Sequence, residues 1–324
     1  MCSAFSLVVQ AATDGAHITK TISQIERKKG IKRTIQYRPD GNDFVCVNGK
    51  NRYTRALYGG ITDFRIETSD RPVFATYKPK DSKHICFRLQ CGNQSIALDS
   101  LKFCEARYRA GRRTYRLTDP LLGKGELNIS VLAFPDAEGG IWRFTMKDMP
   151  EGALLHCYIS EIRAKNLSRN GDMGADRADS FDAPQLPKEQ KHYKLSLDGT
   201  TAYIVVEDQE LRLPALVEGT SLYDKSEKWR SEIESSLQIS TPDPYFNPLG
   251  GALAAAADGI WDGKIWLHGA IGWRSQLNGW RAAYIGDFIG WHDRARTHFD
   301  SYAASQVTDV PATIPHPTQD TALH

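Results

Sequence analysis

The sequence has almost no net charge. Its 324 residues carry 41 Lys and Arg against 39 Asp and Glu. The basic excess of a general nucleic-acid binder is therefore missing. No run approaches the roughly 18–20 consecutive apolar residues of a membrane-spanning helix. The six cysteines, Cys2, Cys46, Cys86, Cys91, Cys104 and Cys157, include no Cys-x-x-Cys pair and no Cys/His spacing suited to zinc. Cys86 and Cys91 have opposite parity, so on one straight strand they face opposite sides. Buried or half-buried free thiols are the expectation. No helical pattern of ten to fifteen residues alternates with strand-like runs, which argues against a doubly wound parallel sheet. His268, His292 and His298 do not make a His-Glu-x-x-His or another metal-ligand spacing. Neither metal nor cofactor is expected.

What the chain does have is many short strands. Candidate runs are Thr34 to Arg38, Asp43 to Val47, Val73 to Tyr77, His84 to Leu89, Phe103 to Arg109, Arg113 to Leu117 and Glu126 to Ala133. Ile141 to Met146, Leu154 to Ile162, His192 to Leu197 and Ala202 to Val206 continue the series. Turn signals separate them: Asp40-Gly41, Asn48-Gly49, Gly59-Gly60, Gly92-Asn93, Gly139-Gly140 and Asp198-Gly199. Short strands at near-regular spacing predict an antiparallel sandwich. Trp142, Phe144 and Met146 fall on one face at period two and belong to its core. Asn166 to Lys191 breaks the rhythm with a long polar loop. Its Asp172, Asp176, Asp179 and Asp182 lack the order of a known calcium loop and read as solvated charges.

The N-terminus, Met1 to Ala12, is apolar and holds Val9-Gln10-Ala11, a small-x-small pattern like a signal cleavage site. No basic segment precedes it. Export to the periplasm or beyond is the expectation, with an ordinary apolar segment as the alternative.

The pattern changes after Leu222. Trp229, Ile233 and Leu237 fall at i, i+4 and i+8, which predicts a linker helix. Two prolines punctuate Ile239 to Asn247. Apolar residues then fall at 246, 249, 253, 256 and 260, an amphipathic helix whose other face carries Ala254, Asp258 and Trp261. A second helix is expected from Trp291, Ala295, Phe299 and Tyr302. Between them lies a Trp- and Arg-rich loop. Tyr245 to Gln306 holds five of the seven tryptophans and two copies of Gly-Trp-Arg.

These residue types suit sugar. Trp rings stack on the apolar faces of pyranoses, and Arg and Asp hydrogen-bond hydroxyls with charge-assisted strength. The candidate sugar-binding residues are Trp273, Arg274, Trp280, Arg281, Tyr284, Trp291, His292 and Asp293. Glycoside hydrolysis needs two carboxyl groups flanking the bond, and Asp287 and Asp258 are the candidate pair. The plainer reading makes Trp266 and Trp291 helix-packing aromatics and lets Asp287 or Asp293 favour a helix N-terminus.

Several stretches together resemble a known group. They are Asn-Gly-Lys-Asn-Arg-Tyr (48–53), Arg-Ala-Leu-Tyr-Gly (55–59), Cys-Glu-Ala-Arg-Tyr-Arg (104–109), Asp-Pro-Leu-Leu-Gly-Lys-Gly (119–125) and Arg-Asn-Gly-Asp-Met-Gly-Ala-Asp (169–176). Ser-Thr-Pro-Asp-Pro-Tyr-Phe-Asn (240–247), Ala-Asp-Gly-Ile-Trp (257–261), His-Gly-Ala-Ile-Gly-Trp-Arg (268–274) and Gly-Trp-His-Asp-Arg-Ala-Arg (290–296) complete the set. From about residue 33 the chain resembles bacterial six-hairpin glycosidases, in particular an uncharacterised group from the polysaccharide-utilisation systems of gut Bacteroidetes. The resemblance implies a mainly β fold: an antiparallel β-supersandwich, a linker helix, then an αα-hairpin beginning an (α/α)6 toroid. With the possible signal remnant read from the N-terminus (1–20), it divides the chain into the supersandwich (21–217), the linker helix (218–240) and the first helical hairpin (241–324). It implies the N-terminal portion of a glycoside hydrolase acting on an oligosaccharide or polysaccharide, in a chain whose toroid continues beyond it. A non-catalytic carbohydrate-binding module and a polysaccharide lyase are the alternatives.

Overall fold

The structure is a computed structural model, and it describes residues 7–10, 36–78, 81–162, 192–267 and 280–304. The acidic loop with Asp172 to Asp182, and Trp273 and Arg274, lie outside the described residues. The strands in chain order are β1 (Leu7–Gln10), β2 (Arg38–Asp40), β3 (Asp43–Val47), β4 (Arg55–Tyr58), β5 (Arg65–Thr68) and β6 (Phe74–Lys78). They continue with β7 (Asp81–Cys91), β8 (Gln94–Ala97), β9 (Phe103–Arg109), β10 (Arg112–Thr118), β11 (Glu126–Ala133) and β12 (Gly139–Lys147). The last are β13 (Leu154–Glu161), β14 (His192–Ser196), β15 (Thr201–Glu207), β16 (Glu210–Arg212) and β17 (Leu237–Ser240). Four α-helices accompany them among the described residues: α1 (Leu216–Ser235), α2 (Leu249–Gly259), α3 (Trp280–Phe288) and α4 (His292–Ala304).

The chain is mainly β, with two antiparallel sheets. One has eight strands in the order β16-β15-β12-β11-β10-β9-β3-β2. The other has the order β14-β13-β7-β6-β5-β4, and β8 pairs with the far half of β7. A separate parallel pair joins β1 to β17. The two large sheets meet through aromatic rings. Phe74 of β6 stands edge-on to Tyr115 of β10 and Trp142 of β12, at centroid distances of 5.6 and 5.7 Å. Phe87 of β7 meets Phe144 of β12 at 5.5 Å. Edge-to-face contacts of this kind add to the burial of the rings themselves. Trp142, Phe144 and Met146 all line this core, as their period-two spacing predicts.

Two sequence features act differently from expectation. Asn48-Gly49 does not close a hairpin, because β3 and β4 belong to different sheets. The chain crosses between sheets there, with Asn48 at φ +49°. Gly49 is required by contact: a Cβ on it would lie 2.6 Å from the Asp70 side chain. Asp70 is fully buried and anchors the crossover. It accepts from the Asn51 backbone N–H at 2.9 Å, from the Thr54 hydroxyl at 3.1 Å and from the Tyr37 hydroxyl. Arg113, also fully buried, lies 3.8 Å away and donates to Ser69 O at 2.8 Å. Strand β5, in turn, follows no apolar alternation because it buries a charged pair, Arg65 with Glu67.

The five described cysteines are free thiols, and four are buried. Cys86 and Cys91 sit on the same strand, β7, with no turn between them.

The helices also pack on faces other than the predicted ones. Helix α1 lies over the outer face of the eight-stranded sheet. Its buried residues are Gly219, Tyr223, Ser226 and Arg230, not the Trp229/Ile233/Leu237 stripe. Leu237 belongs to β17. The contacts are polar-tipped: the Tyr223 hydroxyl meets that of Ser130 at 2.7 Å, Arg112 pairs with Glu227 at 2.7 Å and Arg109 with Glu234 at 2.7 Å. Helix α2 turns its small residues inward, and Phe246, Leu253 and Ala256 stand exposed. Close backbone approach decides this. A Cβ on Gly250 would lie 2.7 Å from Leu237 O, and one on Gly259 would meet the Tyr58 ring at 2.5 Å. Residues 280–288, expected as loop, form α3. Its Ala283 and Gly286 let it settle on Trp266, so that the hairpin is α3–α4 rather than α2 with a later helix. No described helix is long and apolar enough to cross a membrane.

Candidate functional site

The site begins with how α2 ends. The Ala-rich run 252–257 favours helix, and its small face brings Asp258 down against β4. The Thr62 hydroxyl donates to Gly259 O at 2.7 Å and fixes this end. The chain then turns on Asp262, whose carboxylate accepts from the Lys264 and Ile265 N–H groups at 2.9 and 2.7 Å. Gly263 adopts φ +95°. The turn folds Trp261 back onto Trp266, with ring centroids 4.7 Å apart.

Trp266 is fully buried and fixes the helices around it. Its indole N–H donates to Ala257 O at 2.9 Å, and its backbone N–H donates to Nδ1 of His298 on α4 at 3.0 Å. His298 is therefore neutral as an acceptor, and burial lowers its pKa below the ordinary histidine value. This histidine is structural. The plainer reading of Trp266 holds, and Trp291 is half-buried against both Trp266 and Ile289.

With α2 and α4 held this way, Arg294 reaches Asp258. Its guanidinium donates to Asp258 Oδ1 at 2.6 Å. The same guanidinium lies 4.6 Å over the Trp291 ring and 5.6 Å from that of Trp261, an arrangement suited to a planar cation. Asp258 is 7% exposed. Burial pushes its carboxyl above the ordinary carboxylate value, and the Arg294 bond opposes that rise without cancelling it. Its place at a helix C-terminus also disfavours negative charge.

Asp258 lines a cavity of about 260 Å3 between the sandwich, α1 and α2. Arg55, Tyr58, Tyr108, Trp229 and Arg230 contribute to the same lining. Burial raises the Tyr58 hydroxyl to about 12 and raises that of Tyr108 as well, so both stay protonated donors at neutral pH. Arg55 stacks over Tyr37 and Tyr108 at 4.8 and 5.6 Å. Arg230 is held by Glu227 and Glu234, each at 2.8 Å. The result is a pocket with aromatic walls, hydroxyl donors and one carboxyl.

The other sequence candidates fall elsewhere. Asp287 Oδ1 lies 2.7 Å from His292 Nδ1, and both side chains are well exposed. Asp287 is not among the residues lining the Asp258 cavity. Tyr284 is 60% exposed on α3, its ring 6.4 Å from Phe299. Asp293 is exposed in the first turn of α4. Trp280 and Arg281 begin α3, but their side chains lie outside the described set, as do Trp273 and Arg274. Arg294, Tyr58, Tyr108 and Arg55 were not singled out from the sequence. Arg294 lies within Gly-Trp-His-Asp-Arg-Ala-Arg (290–296), and its i+3 spacing from Trp291 is the signal the sequence offers. Among the described residues no group of three or more His, Cys, Asp or Glu side chains gathers as a metal cluster.

The fold and the pocket define a mainly β protein with helices packed against the outer face of the eight-stranded sheet and against β4. Residues 79–207 match a protein family described as a domain of unknown function (DUF4450). The match runs from the start of β7 to the end of β15, so it takes in central strands of both sheets and stops before α1. No curated protein matches the chain.

Proposed function

We propose that this chain is the sandwich-and-helix portion of a glycoside hydrolase and that a sugar unit of an oligosaccharide or polysaccharide sits in the Asp258 cavity. The observation that carries the reading is a buried carboxyl, its pKa raised by burial, that shares the lining of one cavity with two tyrosines and a tryptophan. Such a carboxyl is the group a glycosidase needs as general acid. Arg294 would orient it, and Trp229, Tyr58 and Tyr108 would hold the ring by its apolar face and its hydroxyls. Cleavage needs a second carboxyl close to the sugar. On this reading Asp287, with His292, is the candidate, and Trp280, Arg281, Tyr284, Trp291 and Asp293 extend the sugar-binding surface together with Trp273 and Arg274.

The exposed apolar side chains of the helices support the toroid part of the reading. Phe246 and Leu253 by α2, Tyr284, Ile285 and Phe288 on α3, and Phe299 on α4 all stand in solvent. Surface of this kind is what further helices of an (α/α)6 toroid cover. The protein would then meet its polymer in the periplasm or outside the cell.

A second reading, carbohydrate binding without catalysis, is favoured by one fact. Among the described residues Asp258 is the single carboxyl group in the lining of its cavity, and it is already bound to Arg294. A screen of plant and host oligosaccharides, scored for binding and for new reducing ends, separates the two. The hydrolase reading predicts a glycan that is bound and cut, with Asp258→Asn lowering turnover at least tenfold. Binding without cutting selects the module. Unchanged binding and turnover in Asp258→Asn removes Asp258 from either role.

A further inference from the structure

A second cavity, also about 260 Å3, opens on the outer face of the eight-stranded sheet, and the sugar reading above does not use it. Two neighbouring cross-strand rows form its floor. One row runs Arg143, Ser130, Thr114, Arg107 across β12, β11, β10 and β9. The next runs Thr145, Asn128, Arg116, Glu105 across the same strands. These residues alternate with Trp142, Phe144, Ile129 and Tyr115 of the core, so the sheet's polar face is built of hydroxyls, an amide, three guanidinium groups and the Glu105 carboxylate, which Arg107 and Arg116 neutralise. Tyr223 of helix α1 meets the floor residue Ser130, hydroxyl to hydroxyl, at 2.7 Å.

The three arginines are not equivalent. Arg107 is tied to Glu105, Asp40 and Asp43. Arg116 lies between Glu105 and Glu126, at 3.4 and 3.5 Å. Arg143 forms no ion pair among the described residues. Its guanidinium carbon lies over the Tyr223 ring, 3.9 Å from the centroid, and its Nε–H is buried without a hydrogen-bond acceptor among the described residues. A half-buried cation with an unsatisfied donor is costly unless something pairs with it. A guanidinium stacked by one face keeps its donor edges free for a planar or tetrahedral oxyanion.

We propose that this groove binds an acidic sugar unit, its carboxylate or sulfate on Arg143 and its hydroxyls on Thr114, Asn128 and Thr145. The floor lies wholly within residues 79–207, the segment that matches the domain of unknown function. The site is independent of the Asp258 cavity.

Calorimetric titration of the whole chain at low salt with glucuronate, glucose 6-sulfate and glucose tests it. Saturable binding of one or both anions, with glucose at least tenfold weaker, is expected. Which anion binds tells carboxylate from sulfate recognition. Arg143→Gln is expected to weaken that binding at least tenfold, and Lys264→Ala, on the exposed turn after α2, to leave it unchanged. Thr145→Val keeps the Arg143–Tyr223 stack and is expected to weaken binding about threefold, so it covers the case in which Arg143→Gln does not fold. Failure of both anions to bind, glucose binding that matches theirs and is weakened equally by Arg143→Gln, or full affinity in either folded groove variant overturns the proposal.

Discussion

The carboxylate of Asp258 and the guanidinium of Arg294 meet at 2.6 Å across 36 residues of sequence, one from the end of α2 and one from the first turn of α4. Asp258 is buried, and Arg294 keeps about a third of its side chain exposed. The pair therefore does two things. It ties the helical annex together, and it leaves a partly desolvated carboxyl facing a cavity. Arg294→Ala removes the charge-assisted bond and leaves Asp258 buried alone. It should cost about 2 kcal/mol in urea denaturation, and Asp258→Asn should recover most of that loss in the double variant.

Asp258 and His298 should give the stability opposite dependences on pH. The folded protein holds the Asp258 proton more tightly than the unfolded chain, whose value is about 3.8. Between 3.8 and the raised folded value the native state binds more protons, so this contribution falls as pH rises. His298 works the other way. Its folded value lies below the ordinary 6.5, so its contribution is complete above 6.5 and is lost as pH falls towards the folded value. Thermal melts from pH 3 to 8 check both. Asp258→Asn should flatten the acidic limb, and His298→Gln should remove the fall below pH 6.5.

Gly286 should tolerate no side chain. A Cβ there would come 2.2 Å from the buried Trp266 ring, which cannot retreat because both its N–H groups are bonded. Gly286→Ala is expected to destabilise by about 1–3 kcal/mol, as overpacked cores do. Gly290, with open space around it at φ +94°, should lose less on the same change, about 1 kcal/mol. Equal losses in chemical denaturation would contradict the packing argument.

Asp70 should matter to the crossover between sheets more than to any site. Asp70→Ala leaves Arg113 buried without its nearest carboxylate and unbinds the 48–54 segment. A loss of about 3–5 kcal/mol is expected, with hydrogen exchange quickened around Asn51 to Thr54.

The sheets were readable in the sequence because one face of most strands is apolar. Phe103–Arg109 and Glu126–Ala133 have the predicted bounds. Strand β5 is hidden from period-two reasoning because it buries Arg65 and Glu67, which that reasoning assigns to solvent. The helix faces were misjudged for a related reason. Helix α1 docks through Tyr223, Ser226 and Arg230, and α2 through glycine and alanine, so neither buries its most apolar stripe. Hydrophobic periodicity cannot report a contact that depends on small size or on a polar tip. Asp258 was readable as a carboxyl near a tryptophan-rich segment. Its partner Arg294 and the Tyr58 and Tyr108 walls were not, because these contacts join residues far apart in the chain.

The most direct test of sugar binding at the Asp258 cavity uses the tryptophans as reporters. Indole N–H signals, assigned by single Trp→Phe variants, are followed in NMR while the glycan found by the screen is titrated. Trp229 lines the cavity, and Trp142 is sealed in the sandwich core with no exposure. The account predicts a saturable shift of the Trp229 signal, with Trp142 unmoved and the Trp229 shift lost in Asp258→Asn. A bound glycan that leaves Trp229 unshifted would contradict it.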